Sequence, residues 1–348
     1  MNKLKSWGFR YGKFLRGKPS SWLMAAILIM LPGPLGVVDE SRQHFLNALG
    51  LESSLTSLSP QGWFKGNVLL GSSSRVSKMS SSTHLDLKED VSPYPVSDGT
   101  PAPQVTARGV YIVDVDSMVP LLAKRPDEKL RPASTTKIMT ALVAMAAFSG
   151  EEIVTAGKAE GAVGKTIHLK SGEKVTFADM LYGLLLESGN DAAFALAENY
   201  PGGYEKMIEA MNQKAMELGM SGTEYRNVSG VDQYRHETTV RDMAVLTKAA
   251  MENEQLRQVV ATKSKEIKSL DGTVIHELTN TNELLGEVLG VVGVKTGTTD
   301  LAGECLITLM ERDGRKVILV LLGSNDRFGE TKLLINWVFN HHRWENAL

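Results

Sequence analysis

The stretch Pro132-Ala133-Ser134-Thr135-Thr136-Lys137-Ile138-Met139-Thr140 places a serine three residues ahead of a lysine, at a point where a helix is predicted to begin. Pro132 stops any earlier helix, and Ile138, Met139, Leu142, Val143 and Met145 then supply apolar residues at helical spacing. Positions i and i+3 share a helix face, so the Ser134 hydroxyl and the Lys137 amine can meet. An amine kept neutral at that distance can take the hydroxyl proton and turn the serine into a nucleophile. Spacing alone decides nothing, because Ser171-Gly172-Glu173-Lys174 repeats it in what reads as a surface turn.

Composition narrows the field around this pair. The chain has 348 residues, 43% hydrophobic and 22% charged, as expected of a globular protein with a proper core. A net charge of -2 argues against general nucleic-acid binding. The single cysteine, Cys305, excludes an intrachain disulfide framework and reads as a small buried hydrophobe within Cys305-Leu306-Ile307. The seven histidines are scattered without ligand spacing, so neither a metal nor another cofactor is expected.

Three segments follow from the pattern along the chain. In residues 1–40, Lys3, Lys5, Arg10, Lys13, Arg16 and Lys18 precede an apolar run over 22–38, and no acid occurs before Asp39. This is an export signal of roughly the minimum length for a membrane span, with no small-x-small cleavage site after it. It is read as an uncleaved anchor with its basic end in the cytoplasm. Residues 41–104 are rich in serine and proline and are read as a tether. Residues 105–348 carry the folded domain. Strands are predicted over 109–115 and 119–123, and helices behind Ser134, behind the Thr176 cap, from Asp191, and over 204–218 and 239–251. The period then changes to two, with a hairpin over 263–278 around Asp271-Gly272 and strands over 291–296, 303–310 and 316–323. A helix over 329–340 closes the chain. Strands at both ends around a helical insert predict an α+β domain with a mostly antiparallel sheet.

Two further motifs complete the first. Ser188-Gly189-Asn190 falls at a predicted helix junction, and Lys295-Thr296-Gly297-Thr298 on a predicted strand. The order S-x-x-K, S-x-N, K-T-G combines a nucleophile with its amine, a proton relay with an amide, and a cationic strand for an anionic substrate. With these motifs, and with Asn227-Val228-Ser229-Gly230-Val231, Asn280-Thr281-Asn282-Glu283-Leu284-Leu285 and Ala302-Gly303-Glu304-Cys305-Leu306, the chain resembles the serine-type D-alanyl-D-alanine carboxypeptidases, the low-molecular-weight penicillin-binding proteins. The resemblance runs from about residue 107 to 337. It departs at Ser229, where the family often carries a histidine, and in the absence of a second β-rich domain after the closing helix.

The resemblance implies a β-lactamase/transpeptidase-like fold, with a five-stranded, mostly antiparallel sheet flanked by helices and a helical subdomain. It also implies roles. Ser134 would attack the terminal D-Ala-D-Ala bond of a peptidoglycan stem peptide, with Lys137 as base, kept neutral by burial and by Lys295. Ser188 would pass the proton to the leaving amine, and Asn190 would orient Lys137 and bind a substrate amide. Lys295 and Thr298 would hold the terminal carboxylate. Thr296 and Gly297 would line the strand, and the N–H groups of Ser134 and Thr298 would form the oxyanion hole. Arg327 is assigned to capping the last helix, with carboxylate binding as the alternative. β-Lactams would be covalent inhibitors, and the enzyme would work at the outer face of the bacterial cytoplasmic membrane. An endopeptidase or transpeptidase would use the same machinery. A β-lactamase would need a deacylating glutamate; Glu224 lies in the right region, but Val228 stands where such enzymes carry asparagine. A silent wall-binding module would have no need for the intact set.

Overall fold

The computed structural model describes residues 92–157 and 163–346. The expected anchor and most of the expected tether, residues 1–91, lie outside the described residues. Five strands build the central sheet: β2 (Gly109–Asp114), β3 (Pro120–Lys124), β8 (Val291–Thr299), β9 (Gly303–Arg312) and β10 (Arg315–Ser324), in the order β3-β2-β10-β9-β8. Every neighbouring pair is antiparallel. The expected α+β architecture is therefore present.

Both faces of the sheet are covered, which explains the nearly unbroken apolar runs in β2 and β10. Val110, Ile112, Leu306, Leu319 and Leu321 enter one core with Leu334 and Val338 of the closing helix α7 (Arg327–His341). Their neighbours Tyr111, Val113, Ile307, Ile318 and Val320 enter the other core, beneath the helical layer. Each successive residue thus serves the opposite face. The β9–β10 hairpin turns at Asp313-Gly314, where φ is 51° and 72°, the left-handed pair required by a tight two-residue turn.

The helical layer consists of α1 (Lys137–Ala147), α2 (Phe177–Leu185), α3 (Asn190–Asn199), α4 (Tyr204–Glu217), α5 (Val240–Met251) and α6 (Glu254–Ala261). The Thr176 hydroxyl accepts from the Asp179 N–H, the cap anticipated for α2. The hairpin β6 (Ser264–Lys268) and β7 (Ile275–Thr279) lies where predicted. Helix α6 was not predicted; its signal was Asn253, whose side chain caps the helix through Leu256 N–H. Short β4 (Ile153–Thr155) and β5 (Lys174–Thr176) pair with each other.

One boundary needs correction. Tyr94–Ser97 forms strand β1, paired with β11 (His342–Glu345), and Trp337 Nε1 donates to Thr100 O at 3.0 Å. The folded domain thus includes residues upstream of 105. Of the prolines that suggested a tether, Pro95 lies within a short two-stranded ribbon and the others flank it, an arrangement that local composition could not reveal because the partner strand lies some 250 residues away.

Candidate active site

The turn that carries Ser134 is tighter than the helix predicted for it. Ala133–Thr136 is a 3-10 turn, and α1 proper begins at Lys137. Side chains at i and i+3 eclipse in that geometry, which sets Lys137 directly over Ser134. Thr135 Oγ1 donates to Pro132 O at 2.6 Å and closes the turn. Ser134 is half-buried, whereas Lys137 is fully buried.

Lys137 Nζ lies 3.1 Å from Ser134 Oγ, 2.6 Å from Asn190 Oδ1 and 2.7 Å from Ser229 O. Burial pulls its pKa down to about 7, against the opposing charge of Asp191. Of the two causes expected for a neutral amine, burial is the one that acts. The carbonyl of Ser229 was not anticipated, since sequence cannot show where a backbone oxygen points. It explains the tolerated departure at this position: Lys137 uses the main chain of Ser229, not its side chain.

Ser188-Gly189-Asn190 occupies the sharp junction of α2 and α3. Ser188 is buried with φ 67°, a left-handed conformation costly for a residue with a side chain. Glycine follows because there is no space for more. A Cβ on Gly189 would lie 2.8 Å from Asp191 Oδ1 and 3.1 Å from Gly183 O. Asn190 Nδ2 donates to Val163 O, and its N–H donates to Lys165 O at 2.7 Å. The Asp191 carboxylate accepts from the N–H groups of Ile167 and Leu169, so one short helix start holds the facing loop.

The third motif runs along β8. Among the described residues this is an edge strand of the sheet, so its outer side can take up an extended peptide. Lys295 is buried and donates to Thr296 O at 3.0 Å; burial, then the charges of Lys137, Lys165 and Arg327, push its pKa well down. Thr296 Oγ1 lies 2.6 Å from Thr281 Oγ1, which ties the strand to the Asn280-Thr281-Asn282 segment. A Cβ on Gly297 would lie 2.9 Å from Ser134 N and 3.0 Å from Ala133 Cβ, so glycine lets β8 reach the nucleophile turn.

Thr298 is exposed, and Arg327 Nη1 donates both to its Oγ1 and, at 3.1 Å, to Gly297 O. Sequence reasoning assigned Arg327 to a helix cap, but Asp326 fills that role by accepting from Gly329 N–H. The guanidinium instead joins the end of the K-T-G strand. By contrast, Ser171 sits exposed on a turn and Lys174 exposed at the start of β5, so the second S-x-x-K assembles no site.

The eight expected residues, Ser134, Lys137, Ser188, Asn190, Lys295, Thr296, Gly297 and Thr298, lie on three segments that meet at the Ser134–Lys137 turn, through Asn190 on Lys137 and Gly297 on Ser134. The family described as D-alanyl-D-alanine carboxypeptidase, peptidase S11, matches residues 97–326, about two thirds of the chain. This chain belongs to that family. It is 36% identical over 253 residues to the Escherichia coli D-alanyl-D-alanine carboxypeptidase DacC, covering 68% of this chain and 62% of that relative. Against Bacillus subtilis DacF the identity is 31% over 245 residues, covering 68% and 63% respectively. The chain thus spans somewhat less than two thirds of these curated relatives. The crystal structure of the Streptomyces K15 DD-transpeptidase superposes with a TM-score of 0.66 at 33% identity, covering 69% of this chain and all of that one.

Proposed function

We propose that the chain is a serine D-alanyl-D-alanine carboxypeptidase that removes the terminal D-alanine from peptidoglycan pentapeptide stems. The observation that carries this reading is the surroundings of Lys137 Nζ. A neutral amine has two N–H bonds and one lone pair. Asn190 Oδ1 and Ser229 O, both obligate acceptors, take the two protons. The lone pair is left for Ser134 Oγ, at 3.1 Å. A pKa near 7 keeps much of the amine neutral at working pH.

The remaining steps follow the same geometry. Ser134 Oγ attacks the carbonyl of the terminal peptide bond as its proton passes to Lys137. The N–H groups of Ser134 and Thr298 stabilise the oxyanion, a contribution of ~3–4 kcal/mol per donor. Ser188 relays a proton to the leaving D-alanine, whose carboxylate is held by Arg327, Thr298 and Lys295. Water then releases the shortened stem. β-Lactams enter the same acylation and stop there, and residues 1–40 hold the enzyme at the membrane.

Transpeptidation is the second reading. The Streptomyces K15 protein is described as a D-alanyl-D-alanine carboxypeptidase among the sequence relatives and as a DD-transpeptidase among the structures, so the machinery alone does not separate the two acceptors. A β-lactamase role is less well supported, because the Glu224 carboxylate is engaged by Arg226 and Arg235. The test is incubation with a muropeptide pentapeptide followed by mass analysis. Loss of one alanine by the wild type, absent in Ser134→Ala together with fluorescent-penicillin labelling, is the expected result. A joined or exchanged peptide favours the transpeptidase, and labelling that survives in Ser134→Ala overturns the nucleophile assignment.

A further inference from the structure

We propose that His236 is a positioning residue that holds the Ser134–Lys137 turn in its reactive geometry through Thr136, a role that rests on Ser134 and Lys137 being nucleophile and base. None of the three motifs contains His236. It sits at the far end of the loop whose other end supplies Ser229 O to Lys137.

That loop is folded by one side chain. Asn227 Oδ1 accepts from the N–H groups of Ser229 and Gly230, at 3.2 and 2.7 Å, and its Nδ2 donates to Val231 O and Gln233 Oε1, both at 3.0 Å. Thr140 Oγ1 donates to Val228 O at 2.6 Å, which docks the loop on α1. Gly230, with φ 89°, lies so close to the nucleophile turn that a Cβ there would be 1.8 Å from Ala133 O.

His236 bolts this assembly together. It is 2% exposed, and its ring meets the Tyr225 ring edge-on at 5.8 Å. Its Nδ1 lies 3.0 Å from the backbone nitrogen of Arg226, a group that can only donate. Nδ1 is therefore the acceptor, and in the neutral ring Nε2 carries the proton. Nε2–H then donates to Thr136 Oγ1 at 2.9 Å. Thr136 lies between Ser134 and Lys137 and is the last residue of the 3-10 turn. One imidazole thus closes the two ends of the loop on each other and ties the loop to the turn that aims the nucleophile.

Burial and the Arg131 charge, with a smaller push from Lys137, hold the ring neutral down to about pH 4, against the pull of Asp232. The ring nitrogens bond Thr136 and Arg226 rather than Ser134 or Lys137. Its influence is on where the Thr136 backbone puts them, and small misplacements of reacting groups cost rate steeply.

Two substitutions separate the ring's bonds. The asparagine amide can occupy the place of Nδ1 and keep the Arg226 bond, whereas the glutamine amide reaches the place of Nε2 and keeps Thr136. The full chain is acylated with a fluorescent penicillin, and the acylation rate constant, the Kd of the pre-acylation complex and the thermal midpoint are measured. His236→Asn and Thr136→Val should each slow acylation about 10- to 100-fold with Kd unchanged, the scale of a misplacement near 1 Å. The double variant should lose no more than either single, because both break one interaction. His236→Gln should stay near the wild-type rate. Wild-type acylation in His236→Asn, additive losses in the double variant, or equal losses in Asn and Gln that track the midpoint would each overturn the proposal. A wild-type chain that is never acylated overturns the nucleophile reading itself, which none of those three outcomes does.

Discussion

Lys137 owes its lowered pKa of about 7 to burial rather than to repulsion by a second lysine. Sequence could show that an amine stood three residues from a serine, and the K-T-G lysine suggested a reason for it to shed its proton. The depth of burial that does so became visible only with the fold. The pKa of about 7 makes the rate a readout. Acylation of the wild type should rise with pH from about 6 to 8 and be half-maximal near 7; a flat profile over that range would contradict a lysine base. The sign for stability is separate. The folded pKa lies below the ordinary 10.5, so between these values the unfolded chain binds more protons and stability rises with pH. Lys137→Met should therefore be stabilised over wild type most below pH 7, the gain shrinking toward pH 10 in thermal melts.

Helices, strands and caps were largely legible because their periods and end signals are local: the Thr176 cap, the Asp-Gly turns and the strands over 291–323 all lie where pattern put them. The 3-10 turn was not. Nothing in Ala133-Ser134-Thr135-Thr136 distinguishes it from a first α-turn; the tight winding accompanies the close approach of β8, with Gly297 facing Ser134 N. Gly297→Ala should force strand and turn apart, since its Cβ would meet Ser134 N at 2.9 Å and Thr135 N at 3.2 Å. The expected outcome is a loss of about 1–3 kcal/mol in urea unfolding, the range for overpacking a close contact. Penicillin acylation should fall with it, and an alanine variant with unchanged acylation would show that the contact does not set the site.

On the scale of the whole molecule, the sheet brings together residues that the chain keeps far apart. The Ser134 turn meets Gly297 of β8, the edge strand of the sheet, although the helical layer lies between them in chain order. The ribbon of β1 and β11 joins the two ends of the described domain in the same way. The proposed attachment to the membrane belongs to this scale too, and rests on six basic residues ahead of an apolar run over 22–38 with no acid before Asp39. The full chain expressed in a bacterium should stay with the membrane fraction through an alkaline carbonate wash, with its folded domain open to protease from outside the cytoplasm. Release into the wash would remove the anchor reading.

The sequence by itself determined the motif set, the family and most of the elements, and pointed to eight candidate site residues, because the chemistry the motifs imply requires particular side chains at particular local spacings. Only the tertiary structure decided the partners that are main chain or distant. Ser229 O turns toward Lys137, Arg327 leaves a cap for Thr298, and His236 reaches Thr136 across a loop. The physical reason is common to all three. A backbone carbonyl has no identity in sequence, and a side chain's partner is set by which segments pack together, not by which residues are its neighbours in the chain.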